Sequence, residues 1–229
     1  MLGDYLFSVL AAGLVSLQLA ALALLLALAL GLAGAFCKRS RSRALRLLAG
    51  LYTTLVRGVP DLVLMLLVYY SLPALLNQGF DALGWDYSVE FSPFAAGCAT
   101  LGLIFGAYMT ETFRAALAGI PRGQLEAAQA YGLSRWGTLR WVLLPQMARL
   151  ALPGITNNWL VLVKATALVS LLGLQDIMFR ARGAAEATGK PFTFYLVAGG
   201  FYLAVTVLSL AALLWLGRRY SVGVKGLAR

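Results

Sequence analysis

Five long apolar runs separated by polar stretches set the frame of the chain: about Leu10 to Phe36, Leu62 to Leu76, Phe94 to Phe113, Leu150 to Leu174 and Phe192 to Leu216. Runs of this length predict membrane-crossing helices, because a hydrocarbon layer of about 30 Å takes roughly 20 helical residues. The second run is short. The stretch before it sets Leu45, Leu48, Tyr52 and Leu55 on one side and Arg46, Thr53 and Thr54 elsewhere. That amphipathic pattern predicts a helix lying at the membrane surface, or one that extends the second span as a single bent helix. The expected fold is all-α and polytopic, one membrane domain over residues 1–229 with five transmembrane helices.

Composition agrees. With 61% hydrophobic and 12% charged residues the chain lies outside the range of soluble domains, and no soluble catalytic unit fits beside five spans. A net charge of +10, from 19 basic against 9 acidic residues, would suggest nucleic acid on a soluble domain; here it marks the inner loops, and no nucleic-acid partner is expected. Lys38, Arg39, Arg41, Arg43 and Arg46 follow the first span. Arg114, Arg122, Arg135, Arg140 and Arg149 lie between the third and fourth, and Arg218, Arg219, Lys225 and Arg229 follow the fifth. By the positive-inside rule these regions are cytoplasmic. The connection from about Asn77 to Pro93 carries Asp81, Asp86 and Glu90 with no basic residue, so it is expected outside, with the N-terminus. The segment from Gln175 to Pro191 runs against the rule, with Arg180, Arg182 and Lys190 only partly balanced by Asp176 and Glu186.

Several chemistries drop out. No histidine is present, which removes histidine-based metal sites and acid–base work. Cys37 and Cys98 imply no disulfide framework, and no metal site is expected. The N-terminus lacks a basic leader and its apolar run is too long for a signal peptide, so the first segment is expected to remain as a membrane helix. Gly183 to Pro191 resembles a phosphate loop but has one spacer residue too many and Pro191 where a hydroxyl should hold magnesium.

The polar segment between the third and fourth spans is the most informative. Gln124 to Tyr131 is rich in helix formers, Glu126 suits the first turn, and Gly132 suits a C-terminal stop. Ser134 is placed to cap a second helix from Arg135 to Leu144, which Pro145 is expected to halt. Two short helices at a sharp corner form a knob. Elsewhere, Arg57-Gly58-Val59-Pro60-Asp61 reads as a helix start, with Pro60 in the first turn and Arg57 and Asp61 at pairing distance. Cys98, Gly102, Gly106 and Thr110 form a stripe of small side chains that admits a second helix, from this chain or another.

Lys164 lies near the middle of the fourth span, where insertion costs about 2.5–3.5 kcal/mol, so a partner is required. Candidates are Glu111, a carbonyl-lined cavity, or the carboxylate of a passing solute. Asn157 and Asn158 precede it, Asn157 nearer its face. Glu111 has a second option in Arg114, three residues on.

The knob resembles a known signature. Glu126-Ala127-Ala128, three residues, Gly132, nine residues, then Val142-Leu143-Leu144-Pro145 is similar to the E-A-A motif of the membrane subunits of ABC importers, with valine where isoleucine is usual. Residues 57–64, Phe105 to Arg114, Asn157-Asn158-Trp159, Lys164 to Ser170 and Arg218 to Lys225 resemble the polar amino acid permeases, the histidine and lysine/arginine/ornithine group above all. The resemblance covers nearly the whole chain. It implies a type I ABC importer fold with a transmembrane core at about 13–213 and a cytoplasmic coupling segment at about 121–145. It also implies two cytoplasmic ABC ATPases that hold the ATP and magnesium, a second related permease subunit in a heterodimer, and a periplasmic amino acid binding protein. By the same resemblance this chain itself is expected to bind no cofactor and to carry no ATPase site. Coupling to the ATPase falls to Glu126, Ala127, Ala128, Gly132 and Pro145. The candidate substrate pathway or gate comprises Asp61, Glu111, Asn157, Asn158 and Lys164, and Gly102 and Gly106 serve helix packing. The expected cargo is a basic amino acid: arginine, ornithine, lysine or histidine. Glutamine, cystine or an opine is the alternative on the same machine. A proton-coupled secondary transporter would leave the knob without a purpose, and a membrane enzyme would lack a catalytic constellation.

Overall fold

In the computed structural model the backbone is described for residues 2–220 and the side chains for 2–215; the basic residues Arg218, Arg219, Lys225 and Arg229 fall outside the described side chains. The described residues form helices and connections without a strand. They are α1 (Leu2–Arg39), α2 (Arg43–Gly58), α3 (Asp61–Ala82), α4 (Pro93–Ala118), α5 (Arg122–Ala130), α6 (Arg135–Leu172), α7 (Ile177–Thr188) and α8 (Pro191–Tyr220). Five of these, α1, α3, α4, α6 and α8, are long and apolar enough to cross a membrane.

The seam between α1 and α4 is the centre of the bundle. On α1 the buried positions Leu19, Ala20, Ala23, Ala27, Gly31 and Ala35 recur at three- and four-residue spacing, so one face carries mostly small side chains. A Cβ on Gly31 would overlap the Met109 side chain and backbone, one on Gly34 would overlap Thr110, and one on Gly102 would overlap Leu26. Gly106 meets Leu30 and the Tyr52 hydroxyl in the same way. The partner of the small-residue stripe of span three is therefore in this chain, chiefly α1. With lipid tails as apolar as leucine, such close approach is what holds membrane helices together.

Ser92 caps α4, its Oγ accepting from the Ala95 N–H at 3.2 Å. The connection before it is tied down by Asn77, whose amide exchanges bonds of 3.1 and 2.7 Å with the Val89 backbone. Phe80 stacks on Trp85 and meets Tyr87 edge-on there.

Two expectations at helix ends are corrected. Pro60 is the N-cap residue of α3, with Asp61 the first helical position. Pro145 does not halt a helix: α6 runs through it to Leu172. Residues Thr138–Leu143 form a π-helical turn in which the Leu144 N–H donates to the Leu139 carbonyl, five residues back. The wider turn accommodates the proline ring, which would otherwise clash with the carbonyl four residues back. The same device precedes Pro73, where Leu67–Ser71 form a π turn. At its far end α6 tightens into a 3-10 segment, Thr166–Leu172, that stops at Gly173. The helix preceding α3 is a separate element rather than a bend of it, because Val59 at φ −108 and ψ 138 breaks the hydrogen-bond ladder.

The phosphate-loop look-alike is helix α7 with its Gly189 stop. It packs through Ile177, Ala181 and Ala184 against Val9 of α1 and Phe194 and Ala198 of α8. Asp176 caps α7, Oδ1 accepting from the Phe179 N–H at 3.0 Å, and is fully buried beside Ser16 and Tyr202. Among the described residues its Oδ2 and the Ser16 hydroxyl meet no partner with hydrogen-bond geometry, although the two groups lie side by side. Burial, only partly offset by backbone N–H donors, pushes the Asp176 carboxyl up to about 6.

Gly31→Val is expected to destabilise the protein by about 1–3 kcal/mol through overpacking. Gly50→Ala, on an open part of α2, is expected to be neutral or mildly stabilising; thermal unfolding of the two purified variants checks this. Asp176 binds its proton more tightly folded than unfolded. Stability is therefore fully present below about pH 4, falls as pH rises to about 6, and is level above. Asp176→Asn keeps the cap, and is expected to abolish that slope and raise stability at pH 7 by roughly 1–3 kcal/mol. An unchanged slope in the pH-dependent melting curves would refute the assignment.

Candidate functional site

The knob is built by local rules. Helix α5 ends at Tyr131, and Gly132 takes the left-handed conformation at φ +79. The Gly132 N–H donates to the Gln129 carbonyl at 2.9 Å and the Leu133 N–H to the Ala128 carbonyl at 3.0 Å, the paired bonds of a Schellman stop. Ser134 then caps α6, its Oγ accepting from the Gly137 N–H at 3.1 Å. Glu126, Ala127 and Gly132 are exposed at the corner, while Ala128 is buried. Tyr131 and Trp136 are 88% and 66% exposed. Because α6 is continuous past Pro145, the second half of the knob and the fourth span are one helix.

Glu111 is the hub of the bundle's basic end. Its Oε1 accepts from Lys38 of α1 and its Oε2 from Arg114 Nε at 2.7 Å. Lys38 also donates to Thr53 Oγ1 of α2 at 2.6 Å, and the Thr53 hydroxyl donates to the Ala49 carbonyl at 3.1 Å. One carboxylate thus joins α1, α2 and α4. Pairing with Arg114 was legible from three-residue spacing; Lys38, 73 residues away, was not.

Glu111 is therefore taken, and it does not compensate Lys164. Lys164 is exposed on the flank of α6 and makes no hydrogen bond or ion pair among the described residues. Asn157, seven residues earlier, is exposed on the same flank, with Val161 between them. Asn158 points the other way: it is buried, with Nδ2 donating to Thr112 Oγ1 at 3.2 Å and to the Met109 sulfur at 3.6 Å. Of the pathway candidates the structure brings Asn157 and Lys164 together on one face and sets Asn158 and Glu111 inside the bundle. Asp61 stands apart at the start of α3, half-buried. Arg57 does not reach it, because α2 ends at Gly58; its guanidinium lies over the Tyr108 ring, 5.1 Å from the centroid.

Sequence reasoning missed two residues. Lys38 was read as one of several inner-loop charges, and Asp176 as a mere charge balance for Arg180 and Arg182. In the structure Arg180 bonds the Gln175 side chain and Arg182 pairs with Glu186. Only the N-cap position of Asp176, ahead of a helix, was available as a signal. Cys37 and Cys98 are both free thiols.

Comparison with known proteins fits this architecture. Residues 27–222 match the family described as binding-protein-dependent transport system inner membrane component. The histidine/lysine/arginine/ornithine transport system permease protein HisQ of Salmonella typhimurium is 49% identical over 217 residues, 95% of each chain. The arginine ABC transporter permease protein ArtQ of Haemophilus influenzae is 39% identical over 209 residues, 91% of each. Among solved structures, an amino acid ABC transporter crystallised with histidines superposes with a TM-score of 0.80 at 28% identity, covering 94% of this chain and 95% of that one. A methionine ABC transporter, MetNI, at 17% identity and a TM-score of 0.63, shares the fold. The knob, the five spans and a family match over nearly the whole length converge: this chain belongs to the binding-protein-dependent transport system inner membrane components, the membrane-spanning permeases of ABC importers.

Proposed function

We propose that the chain is one half of the membrane channel of an importer for basic amino acids, with its N-terminus outside and its knob docked on a cytoplasmic ABC ATPase. The carrying observation is the knob itself: a corner fixed by the Gly132 stop, aromatic side chains exposed at its tip, and a second limb continuous with the fourth span. A push at Tyr131 and Trp136 travels along α6 without crossing a loop. Glu126, Ala127, Ala128 and Gly132 form the docking surface. Pro145, behind its π turn, lies where the push meets the membrane. The cargo assignment rests on relatives named for histidine, lysine, arginine and ornithine transport and for arginine transport.

In this reading α6 is the moving part. Its outward stripe of Asn157, Val161 and Lys164 faces a second, related permease subunit across the pathway, and its ammonium and amide meet the polar ends of the cargo. A periplasmic binding protein delivers that cargo. ATP on the partner ATPases and the loaded binding protein bias one two-state membrane element, so each must strengthen the other by the same factor, typically about 5–150-fold.

The decisive experiment reconstitutes the complex in liposomes with its ATPase and binding protein and compares uptake of arginine, histidine and glutamine. ATP-dependent uptake of arginine or histidine is expected; uptake of glutamine alone would move the cargo, and uptake without ATP would overturn the reading. Gly132→Pro, which removes the N–H of the stop and forces φ negative, and Glu126→Lys are each expected to cut uptake at least about tenfold, the scale of a lost docking anchor. Insertion should be intact; full-rate uptake by either would remove the docking role. Lys164→Met loses no partner within the chain, so its melting temperature is expected to stay level. Its uptake is expected to fall about tenfold, the scale of one charge-assisted hydrogen bond. A change in stability with no change in uptake would make Lys164 structural.

A further inference from the structure

Donors outnumber acceptors in the cleft between α2 and α4. Lys38, Thr53, Thr54, Arg57, Tyr108 and Glu111 converge on a volume of about 450 Å³. The one carboxylate there spends its two oxygens on Lys38 and Arg114. Arg57 lies against the Tyr108 face and forms no hydrogen bond or ion pair among the described residues. A guanidinium on an aromatic face keeps its in-plane N–H donors free. Three cations thus surround one acid, and the Arg57 guanidinium and the Thr54 and Tyr108 hydroxyls make no hydrogen bond among the described residues.

The neighbouring flank of α2 is apolar. At 100° per residue Thr54 and Arg57 lie beside Leu47, Leu51 and Leu55, which are 64%, 48% and 63% exposed. Arg39 at the end of α1, Arg41 in the connection and Arg43 at the start of α2 are all exposed. A basic polar cleft and a leucine strip therefore run side by side at the basic end of the bundle. A free amino acid has no use for the strip; a two-part ligand, an anionic head on an apolar chain, uses both.

We propose that this cleft binds an anionic phospholipid of the cytoplasmic leaflet, with Arg57 and Thr54 donating to the headgroup phosphate and an acyl chain lying along Leu47, Leu51 and Leu55. The inference rests on the proposed orientation, in which the basic end is cytoplasmic, and not on the cargo. A bound phosphate would balance the positive excess around Glu111 and so tighten the junction of α1, α2 and α4.

The test is native mass spectrometry of the whole purified complex titrated with phosphatidylglycerol or phosphatidylcholine. Wild type is expected to retain phosphatidylglycerol selectively. Arg57→Gln is expected to weaken it about fivefold, the ~1 kcal/mol of one basic residue at an anionic surface. Thr54→Asp, at an exposed position, is expected to abolish the preference by repulsion, and its melting curve without lipid reports whether the fold survives. Equal retention of the two lipids, an undiminished preference in Arg57→Gln, displacement of the lipid by arginine, or no lipid in the assembled complex because the second permease covers the strip would each overturn the proposal. Labelling of an Ala44→Cys variant from either side of the membrane checks the orientation. ATP-driven uptake by the same samples reports on the transport reading separately.

Discussion

Helices in a bilayer gain little from hiding apolar surface from one another, so the close approach of α1 to α4 is the constraint on which the remaining structure depends. Gly31, Gly34, Gly102 and Gly106 admit the opposing chain where no Cβ fits. That interlock also sets register. It brings Met109 and Thr110 against Gly31 and Gly34, and one turn further along it delivers Lys38 to Glu111. A slip of one helical turn, about 5.4 Å, would carry Lys38 away from Glu111 and break the charge pair between the two helices. Steric fit and charge pairing thus specify the same arrangement, and α2 joins it through Thr53 on Lys38 and the Tyr52 hydroxyl on the Leu103 carbonyl at 2.6 Å.

Around this unbroken pair two of the other spans, α3 and α6, are jointed. Helices α1 and α4 run 38 and 26 residues without interruption. By contrast α3 and α6 each carry a π turn ahead of a proline, and α6 also holds Pro153 and ends in a 3-10 segment. Breaks in the hydrogen-bond ladder are where helices bend at least cost. A transporter needs a rigid frame and a part with two positions, and the joints are concentrated in the helix that is continuous with the knob. Mechanical continuity and local weakness are what the proposed coupling through α6 requires of that helix.

Features governed by a few neighbouring residues were legible in the sequence. The five spans follow from apolar run length, the Gly132 stop and Ser134 cap from the residue types those backbone positions favour, and the stripe on α4 from four-residue spacing. What was not legible depended on pairings distant in sequence or on how a helix absorbs strain. Proline normally marks a helix stop, and nothing local announces that a wide turn will carry α6 past Pro145. Asn157 and Asn158 are adjacent and chemically identical, yet 100° of helical rotation buries one against Thr112 and leaves the other outside. Asp176 reads as a surface charge beside Arg180 and Arg182 until α1 and α8 close over it.

The charged groups sort themselves by where their partners lie. Glu111, Lys38 and Arg114 find charged partners inside the chain. Lys164 does not. A lysine in a span carries a cost of about 2.5–3.5 kcal/mol when nothing compensates it, and the face that bears it, Leu150, Pro153, Asn157, Val161 and Lys164, is open along its length. Facing lipid, that stripe would destabilise the protein; facing water or a second subunit, it costs little. In the proposed reading this open side of α6 is where the second permease subunit sits, and Asn157 and Lys164 are the groups that meet the solute between them.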